Sequence, residues 1–240
     1  MLVTFLSKIA RRIAVASVLL VAGRVAQAQD QVGYAPQDSP FRDFDEKMNL
    51  SLTGGYLWTG NVPGNVNPHS APMAGLRYDL HLVGPAYFEA RWMHAFSQRD
   101  VINPLNPPFD RLLGTKASPL NLIDVGVALN LTGMRTTHSL VPVVNLNFGV
   151  ATDLGAPHDA GGYRFGTALE LSGGFGFRYI PTWTKLKFRL DFTDYLYDTK
   201  LPDSYRTEVD GSSVVSTTQS LTAWRQNLAL TFGVGVPIFK

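Results

Sequence analysis

Ten charged residues stand where spacing, more than number, suggests chemistry. Arg77 and Asp79, Glu89 and Arg91, and Arg189 and Asp191 are opposite charges two residues apart, with Lys187 two before the last pair. Asp124, Glu170 and Arg178 stand singly among small and apolar neighbours. Side chains two apart on an extended segment point the same way. Five acids and five bases on one face would therefore meet if the segments close around a common axis. In a dry interior an unpaired charge costs roughly several kcal/mol, so ion pairing is the expected outcome. Such a network would fill and fix the interior. The functional alternative for the same residues is a narrow or gated ion pathway.

Two other groups carry reactive residue types. His94 and Ser97, with Asp100 close in sequence, are the types an acyl-transfer centre needs. His69-Ser70 and His138-Ser139 are adjacent pairs, but neighbours on a strand face opposite ways. No motif surrounds any of these sets, and no catalytic role is expected. Asp153, His158 and Asp159 have the chemistry of a cation site, yet two acids and one His within seven residues read as a solvated turn. There is no glycine-rich phosphate loop, zinc spacing or nucleotide signature, so neither cofactor nor metal is expected.

The elements that must position the charges are strands. From Met48 onward the chain alternates with period two over 48–58, 74–82, 88–96, 123–131, 144–150, 168–179, 186–193 and 227–239. One parity holds bulky apolar groups, such as Leu50, Leu52, Trp92, Val127, Leu146, Phe175 and Phe232. The other holds Gly, Ala, Ser, Thr and Asn together with the ten charges. Eight strands of about ten residues match the length a tilted strand needs to cross hydrocarbon.

Volume decides which face turns inward. An eight-stranded barrel has an interior only just wide enough for side chains to fill. The bulky set would overfill it, whereas the small and ionic set would fit. A wide water-filled pore is excluded, because that takes around sixteen strands. The apolar face is expected to point outward, where only lipid can cover it.

Connections alternate in length. Segments 59–72, 97–119, 152–164 and 196–221 are long, and 83–85, 132–139 and 180–183 are short. Aromatic residues gather near strand ends, Tyr56, Trp58, Phe96 and Trp224 toward one rim and Phe88, Tyr179 and Trp183 toward the other. Both features are those of bacterial membrane barrels.

The first 28 residues read as a cleavable export signal. Lys8, Arg11 and Arg12 form a basic start, Ile13 to Gly23 an apolar run of eleven, and Ala26-Gln27-Ala28 a cleavage site before Gln29. A membrane-spanning helix needs roughly 17–25 apolar residues, so that run is too short. These 28 residues hold four bases and no acid, and their removal turns the formal charge from +2 to −2. Neither charge suggests a nucleic-acid partner. The charged share, 17%, is low, and there is no cysteine. Residues 29–46, with Pro36, Pro40 and several acids, read as a short periplasmic lead-in.

Over residues 47–240 this pattern resembles the eight-stranded outer-membrane barrels typified by OmpA and OmpX. The resemblance rests on strand number, alternation, loop asymmetry and a closing strand from Asn227 to Phe239, and it concerns the barrel without a peptidoglycan-binding domain. Members usually end on an aromatic residue; here Lys240 follows Phe239. It implies an all-β, antiparallel, up-and-down transmembrane barrel in the outer membrane of a Gram-negative bacterium. The implied partners are outer-membrane lipid, including lipopolysaccharide, and the barrel-insertion machinery. A monomer with a structural and surface-interaction role is expected, with four loops outside the cell. A low-conductance channel or small-solute conduit is the second reading, and a lipid-modifying enzyme the third.

Overall fold

The computed structural model describes residues 39–239, apart from the Phe239 side chain; the expected export signal and most of the lead-in lie outside them. Among the described residues twelve strands occur in chain order. They are β1 (Phe41–Asp43), β2 (Met48–Trp58), β3 (Ala71–Val83), β4 (Ala86–Ala95), β5 (Gln98–Ile102), β6 (Leu112–Ala117), β7 (Leu120–Asn130), β8 (Arg135–Thr137), β9 (Leu140–Thr152), β10 (Thr167–Tyr179), β11 (Lys187–Lys200) and β12 (Thr222–Phe239).

Eight of them close into an antiparallel barrel. The order runs β2, β3, β4, β7, β9, β10, β11, β12, and β12 pairs back onto β2 with Leu228 opposite Trp58 and Val234 opposite Leu52. Closure leaves no free edge in the wall. Among the described residues no helix is long and apolar enough to cross a membrane.

The alternation read from the sequence is the alternation of exposure. Leu52, Leu146, Phe148, Leu169, Phe175 and Phe232 are exposed on the outer wall, Leu146 with 74% of its surface free. Asn49, Ser51, Thr53, Asn147, Ser172 and Thr231 are buried inside. Glycine allows the sheet to curl this tightly. A Cβ on Gly75 would overlap the Trp92 carbonyl oxygen, and one on Gly149 that of Ile123.

At one end the connections are short. Gly84, with φ 52°, turns β3 into β4. His138 and Ser139, with φ 51° and 65°, form a two-residue turn between β8 and β9, where Thr137 pairs with Leu140. Positive φ at both positions marks the hairpin turn whose twist suits a sheet. Beside it β1 pairs with β8, Phe41 opposite Thr137. The chain just before the barrel is thus an ordered part of this end.

The other end carries the long loops, and they are folded together. In the β4–β7 connection, β5 and β6 form a hairpin beyond the wall. Val62 and Val66 from the first loop, Ile102 from the second, Tyr163 from the third, and Leu201, Tyr205 and Val215 from the fourth make one buried cluster.

Candidate functional site: the ion-paired interior

All ten strand charges point into the barrel, and nine of them are ion-paired. Arg77 on β3 places Nη1 2.6 Å from Asp191 Oδ2 on β11. Arg189, two residues before Asp191, binds that carboxylate at 2.8 Å, Asp79 at 3.3 Å and Glu89 at 3.1 Å. Glu89 also lies 3.6 Å from Arg77 and 3.4 Å from Arg91. These groups are almost wholly shielded from solvent, with Glu89 at 0% exposure. Multiple charge-assisted hydrogen bonds per ion are what make such burial tolerable.

Toward the loop end, Arg91 grips Asp124 with two parallel contacts, Nε to Oδ1 at 2.7 Å and Nη2 to Oδ2 at 2.8 Å. The two residues are direct cross-strand neighbours on β4 and β7. Arg91 also donates to Ser172 Oγ at 2.6 Å and lies over the Tyr195 ring, 5.3 Å from its centroid.

Toward the short-turn end, Arg178 and Lys187 share Oε2 of Glu46, each at 2.8 Å. Arg178 lies over the Tyr87 ring. Glu46 belongs to the segment read as a lead-in, yet it is buried to 1% exposure. Two residues before Met48 it shares the outward parity of Leu50 and Leu52, so alternation gave no signal for it; it turns inward because the chain ahead of β2 leaves the strand pattern.

Counting Glu46, the network holds six acids and five bases. Among the described residues Glu170 makes no ion pair. It lies beside Asp124 and Ser172, is 0% exposed, and neither carboxyl oxygen meets hydrogen-bond geometry. The expected matching of five acids with five bases is therefore corrected: Glu46 takes the place assigned to Glu170, because Arg178 and Lys187 lie at the turn end where Glu46 enters.

The interior is also not uniformly small and polar. Leu57, Met73, Met93, Leu120, Leu122, Tyr195 and Tyr197 form an apolar layer between the ion network and the loops, with Phe165 packed against it. These residues obey the inward parity but not its polarity. They fit because glycines stand opposite them: Gly75 faces Met93 across the β3–β4 ladder, and Met93 Sδ fills the space its side chain lacks.

The other candidate groups are committed elsewhere. His94 points outward and its Nδ1 lies 2.9 Å from Asn121 Oδ1, which also accepts from Trp92 Nε1. The Ser97 hydroxyl donates to the carbonyl oxygen of His69 at 2.6 Å. Asp100 accepts from Asn65 and sits 3.9 Å from His69. No nucleophile–base contact joins these residues. Asp159 is held by Arg99 at 2.6 Å, and Asp153 accepts from the backbone of Gly155 and Gly166. Among the described residues no group of three or more His, Cys, Asp or Glu side chains is arranged for a metal.

The loop cluster was not foreseen. Arg99 stacks 5.0 Å over the Tyr163 ring while pairing with Asp159, and Arg111 donates to the Ser212 carbonyl at 2.6 Å, tying the second loop to the third and fourth. Burial pushes the Tyr163 and Tyr205 hydroxyls above the ordinary phenol value, so both stay neutral. The tyrosines and valines in these otherwise polar loops were the available signal.

No family model matches the chain, and no curated protein matches it. Among solved structures it is similar to Neisserial surface protein A, with a TM-score of 0.50 over 80% of this chain and 97% of that one, at 11% identity. The likeness is one of fold, the eight-stranded barrel to which the sequence resemblance pointed.

Proposed function

We propose that the chain is an outer-membrane barrel with a structural and surface-interaction role, sealed along its axis. The single observation that carries this reading is the inverted arrangement of polarity. A belt of Leu, Phe, Val and Trp side chains is exposed around the wall, while arginines and carboxylates are buried within it. In water that inversion would leave a large apolar surface uncovered. In a bilayer, lipid covers the belt, and a closed sheet satisfies every backbone group of the wall.

Export by the N-terminal signal brings the chain to a Gram-negative outer membrane, where the insertion machinery folds it as a monomer. Short turns then face the periplasm and the four long loops face outward, in contact with lipopolysaccharide and with whatever meets the cell surface. The folded loop cluster favours a shaped surface over flexible strings. Its hairpin tip exposes Leu105, Phe109 and Leu112, the second of these at 83%.

Ion pairing across the lumen and the apolar layer above it support the sealed reading over the channel reading. Planar-bilayer recordings on the refolded mature barrel test it. No steady unitary current is expected; steady currents abolished by changing Arg77 or Asp191 would favour the channel. Heat-dependent gel migration tests the membrane barrel itself, and a chain that stays soluble without detergent would overturn it.

A further inference from the structure

The outward face of β11 interrupts the apolar wall. It runs Phe188, Leu190, Phe192, Asp194 and Leu196, with Asp194 well inside the strand. Asp194 is paired with Gly173 of β10 on one side and with Leu228 of β12 on the other. Its Oδ2 accepts one hydrogen bond, from Gln226 Nε2 at 3.2 Å. The Asn227 backbone N–H also lies near the carboxylate, while Oδ1 is shielded from solvent and meets no hydrogen-bond geometry. Because Gly173 has no side chain, the wall is hollow beside the carboxylate. Val127, Leu146, Phe148, Leu171 and Leu196 line that hollow.

A carboxylate facing acyl chains is disfavoured, and one amide donor leaves most of its acceptor capacity unused. Elsewhere in the barrel, Asp79, Glu89, Asp124 and Asp191 each have an arginine at hand; Asp194 has a hollow sized by a glycine. The complement of that surface is an apolar chain with a hydrogen-bond donor at its root. Ester-linked lipids offer only acceptors there, whereas an amide-linked chain offers an N–H.

We propose that Asp194, Gln226 and the hollow at Gly173 bind an N-acylated amphiphile, its hydrocarbon chain lying against Leu146 and Leu171 and its amide N–H or neighbouring hydroxyl donating to Asp194. The proposal rests on the membrane reading above.

Sphingomyelin and phosphatidylcholine make a matched pair of probes, since they share a headgroup and differ in the amide and hydroxyl donors. The mature barrel is refolded into nanodiscs holding equal amounts of both, and lipids retained on the released protein are counted by native mass spectrometry. Retention of sphingomyelin is expected to exceed that of phosphatidylcholine roughly tenfold, the scale of one hydrogen bond to a charged acceptor. Asp194→Leu and Gly173→Leu should each bring the ratio to one, with Asp194→Leu folding at least as stably as the parent. An unaltered preference in Asp194→Leu would overturn the site, as would equal retention by the parent. Pairing of two barrels that is lost in Asp194→Leu would assign the hollow to a second copy instead and likewise overturn it. Failure of the parent barrel to enter nanodiscs would sink the membrane reading, and the site with it; entry without preference sinks the site alone.

Discussion

Arg77 meets Asp191 across the lumen. Their strands, β3 and β11, are separated in the wall by β2 and β12, yet Nη1 and Oδ2 lie 2.6 Å apart. The pair works as a tie-bar between parts of the sheet that share no backbone hydrogen bonds. Removing one partner leaves a buried charge uncompensated, which costs about 3–5 kcal/mol. Asp191→Ala strips the shared carboxylate from both Arg77 and Arg189, so it should fall at the upper end of that range. Urea unfolding of the barrel in detergent or lipid, followed by heat-modifiable migration, measures it. The double change Arg77→Met with Asp191→Leu should cost less than Asp191→Ala, since it leaves one fewer stranded charge. A double variant weaker than the single would contradict the tie-bar.

Glu170 should behave in the opposite way. Among the described residues its oxygens meet no donor in hydrogen-bond geometry and no base forms an ion pair with it. Glu170→Gln removes an acid that has no ion-pair contact among the described residues, and the new amide can donate to Asp124. The unfolding midpoint should stay level or rise. A drop as large as that of Asp191→Ala would show that the network depends on an ionised Glu170.

On the outer wall, Leu146→Arg and Leu129→Arg place a guanidinium against acyl chains. Each should destabilise the barrel in lipid vesicles by roughly 2–4 kcal/mol if it lies near the midplane, and less near either rim. Unchanged stability at both positions would mean that lipid does not cover this face.

The turn at His138-Ser139 holds two non-glycine residues in the left-handed region. Replacing the pair by Asn-Gly supplies the residues this turn prefers. Relief of roughly 1–2 kcal/mol of strain where Gly replaces Ser139, set against about 0.5–1 kcal/mol of added chain entropy, leaves a gain of up to about 1 kcal/mol. The test is the refolding midpoint, and a lowered one would mean that the native turn is not strained.

Arg99 joins Asp159 and Tyr163 beyond the barrel. Arg99→Ala should loosen the loop cap without opening the wall. Limited proteolysis should then cut within 98–117 and 153–166 faster than in the parent, at an unchanged barrel unfolding midpoint. Equal cleavage rates would show that the apolar cluster alone holds the loops.

Parity was written in the chain itself. Alternation of Leu50, Leu52 and Tyr56 with Asn49, Ser51 and Thr53 assigns faces residue by residue, because a strand sends successive side chains to opposite sides whatever its neighbours do. With the bulky set too large for an eight-stranded lumen, strand number and face were legible before any coordinates. Partners were not. Which carboxylate meets Arg77 depends on the stagger between strands and on closure, and a slip of register would change the neighbours of every inward side chain. Closure alone brought Asp191 to Arg77, admitted Glu46 to Arg178 and Lys187, and left Glu170 without an ion pair among the described residues. It also set Met93 into the space opposite Gly75 and gathered Tyr163 and Tyr205 from loops forty residues apart in sequence. A local period fixes direction, whereas distance across a lumen is a property of the closed sheet.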